Sequence, residues 1–390
     1  MLLNISCIDI EFLSSNRTTT MNYEQPLVQP ITLAGGLELK NRIWMAPMTR
    51  SRADNPANKP FEIHEKYYAQ RASAGLIITE GSQVSTEGVG YINTPGIYSD
   101  AQVEGWKGVT KAVHDKGGKI FIQLWHVGRI SHPDFHDGNL PLAPSAINPN
   151  EKSFTPEGFK ETVTPKEMTR AEIKQTIEDF KNAGKNAMEA GFDGIEIHSS
   201  NGYLLHQFFN ATSNVRRDEY GGSIENRAKI LFEIIEALKE VMPEQKIGLR
   251  LNPSLNGAFG MTADQETIPT FEYIVRKLND YDLAYLHLSE PFSDVSAITY
   301  LVSHIAKHFR PLYKGTLVIN GGFDQEKGNK VIEQGDADAV AYAKLYISNP
   351  DLVERFEQNA ELASPDKDTF YTPGEKGYTD YPALKESQVR

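Results

Sequence analysis

Residues 194–203 read GIEIHSSNGY and place an imidazole, a carboxamide and a phenol in close succession as His198, Asn201 and Tyr203. The first two can donate hydrogen bonds to a single carbonyl or nitro oxygen and stabilise negative charge developing there. The phenol can deliver a proton, because with an ordinary pKa of about 10 it is protonated at neutral pH and suits a general acid. Read alone, the segment is better explained as a cap-forming Asn and a packed Tyr. Polar residues that interrupt apolar runs elsewhere in the chain shift the balance toward chemistry.

Gln123 lies inside IFIQLW, Arg250 inside IGLRL, and His198 closes GIEIH. A guanidinium buried in such a run is costly unless an anion or acceptor meets it. A structural ion pair with Glu196 would satisfy Arg250, and so would a ligand. Thr49, Gly81, Gln123, His198 and Arg250 all fall at or near the C-terminal ends of different apolar runs. A planar ligand rimmed with donors and acceptors, such as an isoalloxazine ring, would use a hydroxyl, an amide and a guanidinium together. Asn320-Gly321-Gly322 and Ala343-Lys344 follow two further runs. A Gly-Gly pair usually marks only a turn. Here its position makes it a candidate phosphate site.

These residues need a frame that gathers strand ends. Short apolar runs at 43–48, 76–80, 119–125, 194–198, 246–251, 285–289, 316–320 and 339–343 read as strands. Each is followed by a helical pattern, at 64–74, 100–116, 169–190, 223–242, 264–281, 297–309, 324–334 and 349–359. Thr169 with Glu172 predicts a capping box, Ser223 a similar cap, and Gly191 and Gly335 helix ends. Strands buried on both faces read as continuous apolar runs, and eight such units favour a closed (β/α)8 TIM barrel over an open sheet. That fold gathers its active site at the C-terminal ends of its strands, with phosphate commonly held after strands seven and eight. The Pro-, Asn-, Asp- and Gly-rich stretch 131–165 predicts a long loop over the site. We expect one domain over residues 22–384, a non-conforming extension at 1–21 and a short tail at 385–390, with Met1 or Met21 as the start.

Composition narrows the classes further. With 40 basic against 52 acidic residues, the net charge of −12 opposes binding to nucleic acid or anionic membrane. The single cysteine, Cys7, excludes an internal disulfide and a Cys-rich metal site, so no metal is expected and the cytoplasm is the natural compartment. The N-terminal residues lack the basic start and cleavage site of a signal peptide, and nothing is apolar for long enough to span a bilayer. No Gly-x-Gly-x-x-Gly element predicts a separate dinucleotide domain.

With these residues in hand, the chain resembles the old yellow enzyme family of FMN-dependent ene-reductases from about residue 26 to 384. The likeness rests on NRIWMAPMTR from Asn41, ITEGSQVSTEGVGYINTPGIYS from Ile78, FIQLWHVGRISHP from Phe121 and GFDGIEIHSSNGYLLHQFF from Gly191. It continues in SNVRRDEYGGSIENR from Ser213, GLRLNP from Gly248, NGGF from Asn320, YISNPDL from Tyr346 and GYTDYP from Gly377. The resemblance implies non-covalent FMN, with Thr49 on its O4 edge, the Pro47 and Met48 backbone and Gly81 beside the rings, and Gln123 on the pyrimidine edge. Arg250 would face the N1/O2 locus, and Asn320, Gly321, Gly322, Ala343 and Lys344 would hold the phosphate.

It also implies a ping-pong cycle in which NAD(P)H, NADPH favoured, reduces FMN and leaves. An electron-poor alkene then takes its place and receives hydride from flavin N5. His198 and Asn201 would polarise the substrate, Tyr203 would protonate its α-carbon, and Tyr91, Trp125 and Tyr371 would wall the pocket. A monomer or weak homo-oligomer is expected.

The chain departs from the family pattern at two places. His198-Ser199-Ser200-Asn201 stands where relatives commonly carry His-Gly-Ala-Asn or His-Gly-Ala-His, which keeps both donors but changes the spacer. Ala343-Lys344 stands where Gly-Arg is usual, which predicts looser FMN binding. A dienoyl-CoA-reductase-like relative would need a cysteine cluster and further domains. A flavin-binding protein without turnover is disfavoured by Tyr203, and a barrel using another phosphorylated cofactor by Gln123 with Arg250.

Overall fold

The structure, a computed structural model, describes residues 25–384. The expected extension at 1–21, the choice of start and the tail at 385–390 lie outside the described residues. Eight parallel strands close into a barrel in chain order, and the eighth, Ala339–Tyr342, pairs back onto the first, Ile43–Met45. The others are Ile77–Gln83, Ile120–Trp125, Gly194–His198, Ile247–Leu251, Tyr285–Ser289 and Leu317–Asn320. The expected (β/α)8 barrel is therefore the fold.

Side chains alternate between the barrel axis and the helix shell because successive strand residues point to opposite faces. Ile122, Ile195, Leu249 and Leu286 pack outward with the helices. Inside, Trp44, Phe121, Tyr285, Val318 and Ala339 form an apolar plug with Leu39, from a short antiparallel pair of Ile31–Thr32 with Glu38–Leu39, and Leu33 just past its first strand. Above that plug the interior turns polar. Gln123, Glu196 and Arg250 occupy strand positions nearer the C-terminal ends, and all three are buried.

One irregularity shapes the site. Ile78 pairs with Phe121 but Gly81 pairs with Gln123, so the second strand carries an extra residue across 79–80. Such a bulge re-aims the side chains beyond it. Glu80 consequently meets Tyr68 of the first helix, Glu62–Gln70, and Gly81 comes to lie against the Trp125 ring. The Thr79 hydroxyl accepts the Gln123 N–H at 3.2 Å, which covers a donor at the disrupted ladder.

Several bounds differ from expectation for identifiable reasons. The first strand stops at Met45 rather than residue 48 because Pro47 has no N–H for the ladder. The helix expected at 297–309 spans only Ile305–Phe309, because Glu290, just past the sixth strand, accepts the N–H groups of Ile305 and Ala306 and sets its start. The 131–165 loop contains a hairpin, Lys152–Thr155 with Gly158–Glu161. The Thr169–Glu172 capping box, the Ser223 cap and the left-handed Gly191 and Gly335 are present as read from the sequence.

Candidate active site

Glu196 organises the floor of the site. One carboxylate oxygen accepts from Gln123 Nε2 at 2.7 Å and the other meets His287 Nδ1 at 2.8 Å. A carboxylate only accepts, so Gln123 must turn its nitrogen inward and leave its carbonyl for an N–H on a ligand edge. The possible direct Arg250–Glu196 pair is not how Glu196 is used. Arg250 instead donates to Ser289 Oγ at 3.3 Å, while its buried Nε has no partner. Burial lowers the Arg250 pKa, and the nearby Glu196 charge opposes that shift. A buried guanidinium N–H without a protein acceptor suits a ligand that brings one.

His198 and Asn201 stand at the end of the fourth strand and just beyond it. The Ser200 N–H donates to His198 Nδ1 at 3.3 Å, and the Ser200 hydroxyl lies at the same distance. Burial, with Arg250 and two other histidines nearby, pushes the His198 pKa well below its ordinary value. The ring is therefore neutral, Nδ1 is an acceptor, and the proton sits on Nε2 as a donor. Asn201 adopts a left-handed backbone, φ 54°, followed by Gly202 at 78°. Asn tolerates that conformation better than most side chains. Its Oδ1 accepts from Asn252 Nδ2 at 3.0 Å. The Ser199 hydroxyl is buried without a partner.

Tyr203 precedes the buried helix Leu204–Phe209, which the sequence reading missed because every side chain in it faces inward and no polar stripe marks a face. Its hydroxyl lies 3.0 Å from that of Tyr91. Its ring meets Trp125 edge-on at 4.9 Å and His198 at 5.0 Å, and Tyr91 stacks on Trp125 at 5.4 Å. Burial raises the Tyr203 pKa well above its ordinary value and takes Tyr91 to about 12. Both phenols keep their protons throughout the neutral range.

Of the expected wall residues, Tyr91 and Trp125 thus join His198 and Tyr203 in one aromatic cluster. Phe259, which sequence reasoning missed, joins it at 5.9 Å from Tyr203. Tyr371 is 59% exposed, yet near enough to Tyr91 and Tyr203 to act on both electrostatically. The segment bearing it is held by two buried arginines. Arg52 donates to the carbonyls of Thr369, Phe370, Gly374 and Lys376, and Arg50 to those of Phe370 and Gly377.

The remaining expected residues ring the same barrel mouth. Pro47, Met48 and Thr49 follow the first strand and are half-buried. Gly81 has no room for a side chain, since a Cβ there would come within 2.6 Å of the Trp125 ring. The seventh and eighth strands pair in register, Ile319 with Val340, which brings Asn320, Gly321 and Gly322 beside Ala343 and Lys344. Gly321 and Gly322 take φ of 106° and 75°, and Ala343 precedes the short helix Lys344–Ser348. The donor set at this mouth fits FMN in its chemistry: a hydroxyl, an amide carbonyl and a guanidinium whose buried Nε lacks an acceptor suit the ring, and a glycine loop followed by a lysine suits the phosphate. Glu196, His287, Ser289 and Asn252 went unassigned or were read only as structural, because their importance lies in cross-strand contacts that spacing does not reveal.

The fold and the site together define a flavin-dependent barrel oxidoreductase. The model of the NADH:flavin oxidoreductase / NADH oxidase family matches residues 26–363. A relative from Oryza sativa subsp. japonica, putative 12-oxophytodienoate reductase 5, is 42% identical over 93% of this chain and 96% of its own. Morphinone reductase in complex with tetrahydroNAD is 42% identical, with a TM-score of 0.87 over 93% of this chain and 99% of that one. The old yellow enzyme homologue from Zymomonas mobilis is 39% identical, with a TM-score of 0.86 over 92% and 99%. The chain belongs to the old yellow enzyme family of FMN-dependent oxidoreductases. Among the described residues, no helix is long and apolar enough to cross a membrane.

Proposed function

We propose that this chain is an NAD(P)H-dependent ene-reductase that reduces small, electron-poor alkenes: enals, enones and maleimides, with nitro compounds as a further class. The observation that carries this reading is the neutral His198, with its donor at Nε2, in edge contact with a deeply buried, protonated Tyr203. Such a pair serves a reaction in which negative charge develops on an oxygen and a proton is then needed at carbon.

FMN, when bound, supplies the hydride that reaches the substrate's β-carbon. Thr49, Gly81, the Gln123 carbonyl, Arg250 and the Pro47 and Met48 backbone would hold the ring. Asn320, Gly321, Gly322, Ala343 and Lys344 would hold the phosphate. His198 and Asn201 donate to the substrate's oxygen and draw charge toward it. Tyr203 retains its proton until the α-carbon becomes basic, then releases it there, and the Tyr91 hydroxyl supports the phenolate that remains. Tyr91, Trp125, Phe259 and Tyr371 exclude water from that transfer.

The same pocket admits nicotinamide first and alkene second. NADPH is the donor expected from the sequence, and the tetrahydroNAD-bound relative makes NADH the donor to assay beside it. We infer a cytoplasmic protein with one domain over 22–384, acting as a monomer or weak homo-oligomer. Tyr203→Phe tests the assignment: flavin reduction by NADPH should stay within about twofold while 2-cyclohexenone reduction falls by 10²-fold or more. Equal loss of both half-reactions would remove Tyr203 from the role of acid.

A further inference from the structure

Asn201 can act as a donor to substrate only if its carboxamide turns nitrogen outward, and nothing in its own backbone decides which way it turns. Asn252 lies two residues beyond Arg250, just past the fifth strand, and is fully buried. Its Nδ2 donates to Asn201 Oδ1 at 3.0 Å, while its own Oδ1 is buried without a partner. Turning both amides over would pair Asn252 Oδ1 with Asn201 Nδ2 and strand a buried NH2 in place of a buried carbonyl oxygen. Orphaned buried N–H groups are rarer than under-satisfied carbonyls, so the observed direction is preferred. It engages the Asn201 oxygen and leaves the Asn201 NH2 as the group available to a ligand.

We propose that Asn252 is a positioning residue for substrate recognition: its buried amide fixes the Asn201 carboxamide with the NH2 facing the pocket, which makes Asn201 selective for substrates carrying an acceptor oxygen. The inference rests on His198 and Asn201 being the substrate-binding pair. Asn252 touches no substrate itself. Its effect runs entirely through Asn201, which separates it from a residue that merely fills space.

Asn252→Asp replaces the donor with an acceptor of nearly the same shape. The carboxylate would draw the Asn201 NH2 toward itself and turn the Asn201 oxygen to the pocket. Asn252→Leu removes the partner without reversing polarity. The measurement is the Kd of oxidised, FMN-loaded enzyme for 2-cyclohexenone, read from the perturbation of the flavin absorbance, in wild type, Asn201→Ala, each Asn252 variant and the corresponding double variants. FMN affinity is measured in parallel.

We expect Asn252→Asp to weaken binding by about tenfold or more, as the loss of one well-placed hydrogen bond with a facing acceptor would. Asn252→Leu should weaken it less. In the Asn201→Ala background, neither Asn252 substitution should add more than about twofold, and FMN affinity should be unchanged throughout. If Asn252→Leu is the worse of the two, or if either effect persists without the Asn201 side chain, the positioning role is overturned and Asn252 is a packing residue. If Asn201→Ala leaves binding unchanged, or wild type binds no enone, the donor-pair reading beneath the inference fails and takes it along.

Discussion

At the scale of single residues, the chemistry depends on which atoms are left free after the protein has satisfied its own. Glu196 consumes the Gln123 nitrogen and so exposes its carbonyl, Ser200 consumes His198 Nδ1 and so exposes Nε2, and Asn252 consumes the Asn201 oxygen. His198, Asn201, Tyr203, Gln123 and Arg250 stood out in the sequence because polar groups at strand ends are conspicuous. Their orienting partners did not, since a carboxylate or amide in an apolar run announces a polar contact but not its direction. Lys344 offers a point charge where a guanidinium would offer a fork, so Lys344→Arg should tighten FMN binding several-fold in a fluorescence titration of apoprotein. An unchanged or weaker affinity would mean that the glycine loop and the backbone amides already satisfy the phosphate.

At the scale of elements, the eight strands were readable because a fully buried parallel strand leaves little choice of residue, and their centres matched expectation closely. Ends and irregularities were not readable. The bulge at 79–80 depends on the neighbouring strand, and the late start of Ile305–Phe309 depends on Glu290 reaching across from the sixth strand. The segment carrying Tyr371 has no regular structure of its own beyond the short turn Lys367–Thr369, and two buried guanidinium groups hold it instead. Arg52→Met should leave several buried carbonyls unpaired and cost about 3 kcal/mol of stability. It should also free residues 369–377, visible as faster proteolysis there and weaker enone binding at unchanged FMN affinity. Unaltered cleavage in this segment would show that Arg50 and the stacked Tyr67–Tyr378 pair suffice to hold it.

At the scale of the whole molecule, the barrel carries a buried carboxyl whose charge is costly. Burial raises the Glu80 pKa from 4.5 to about 7, with Arg50 only partly offsetting it. The folded state therefore binds a proton that the unfolded chain has already released. The associated stability is full below about pH 4.5 and is lost as pH rises through about 7, an effect of roughly 3 kcal/mol at about 1.4 kcal/mol per pH unit. Unfolding free energies at pH 5 and pH 8 should show that fall in wild type and lack it in Glu80→Gln. An identical pH dependence in the two proteins would place the titration elsewhere. His198 is neutral across the same range, so enone binding should not show an inflection from it between pH 6 and 8.

In the proposed reaction one barrel mouth accepts a nicotinamide and then an alkene over FMN. The most direct measurement is an anaerobic absorbance titration of the purified protein. It should be yellow as isolated, bleach with NADPH or NADH, and recover its colour on addition of one equivalent of 2-cyclohexenone or N-ethylmaleimide. A colourless preparation that takes up no FMN, or a bleached one that neither alkene reoxidises, would contradict the account.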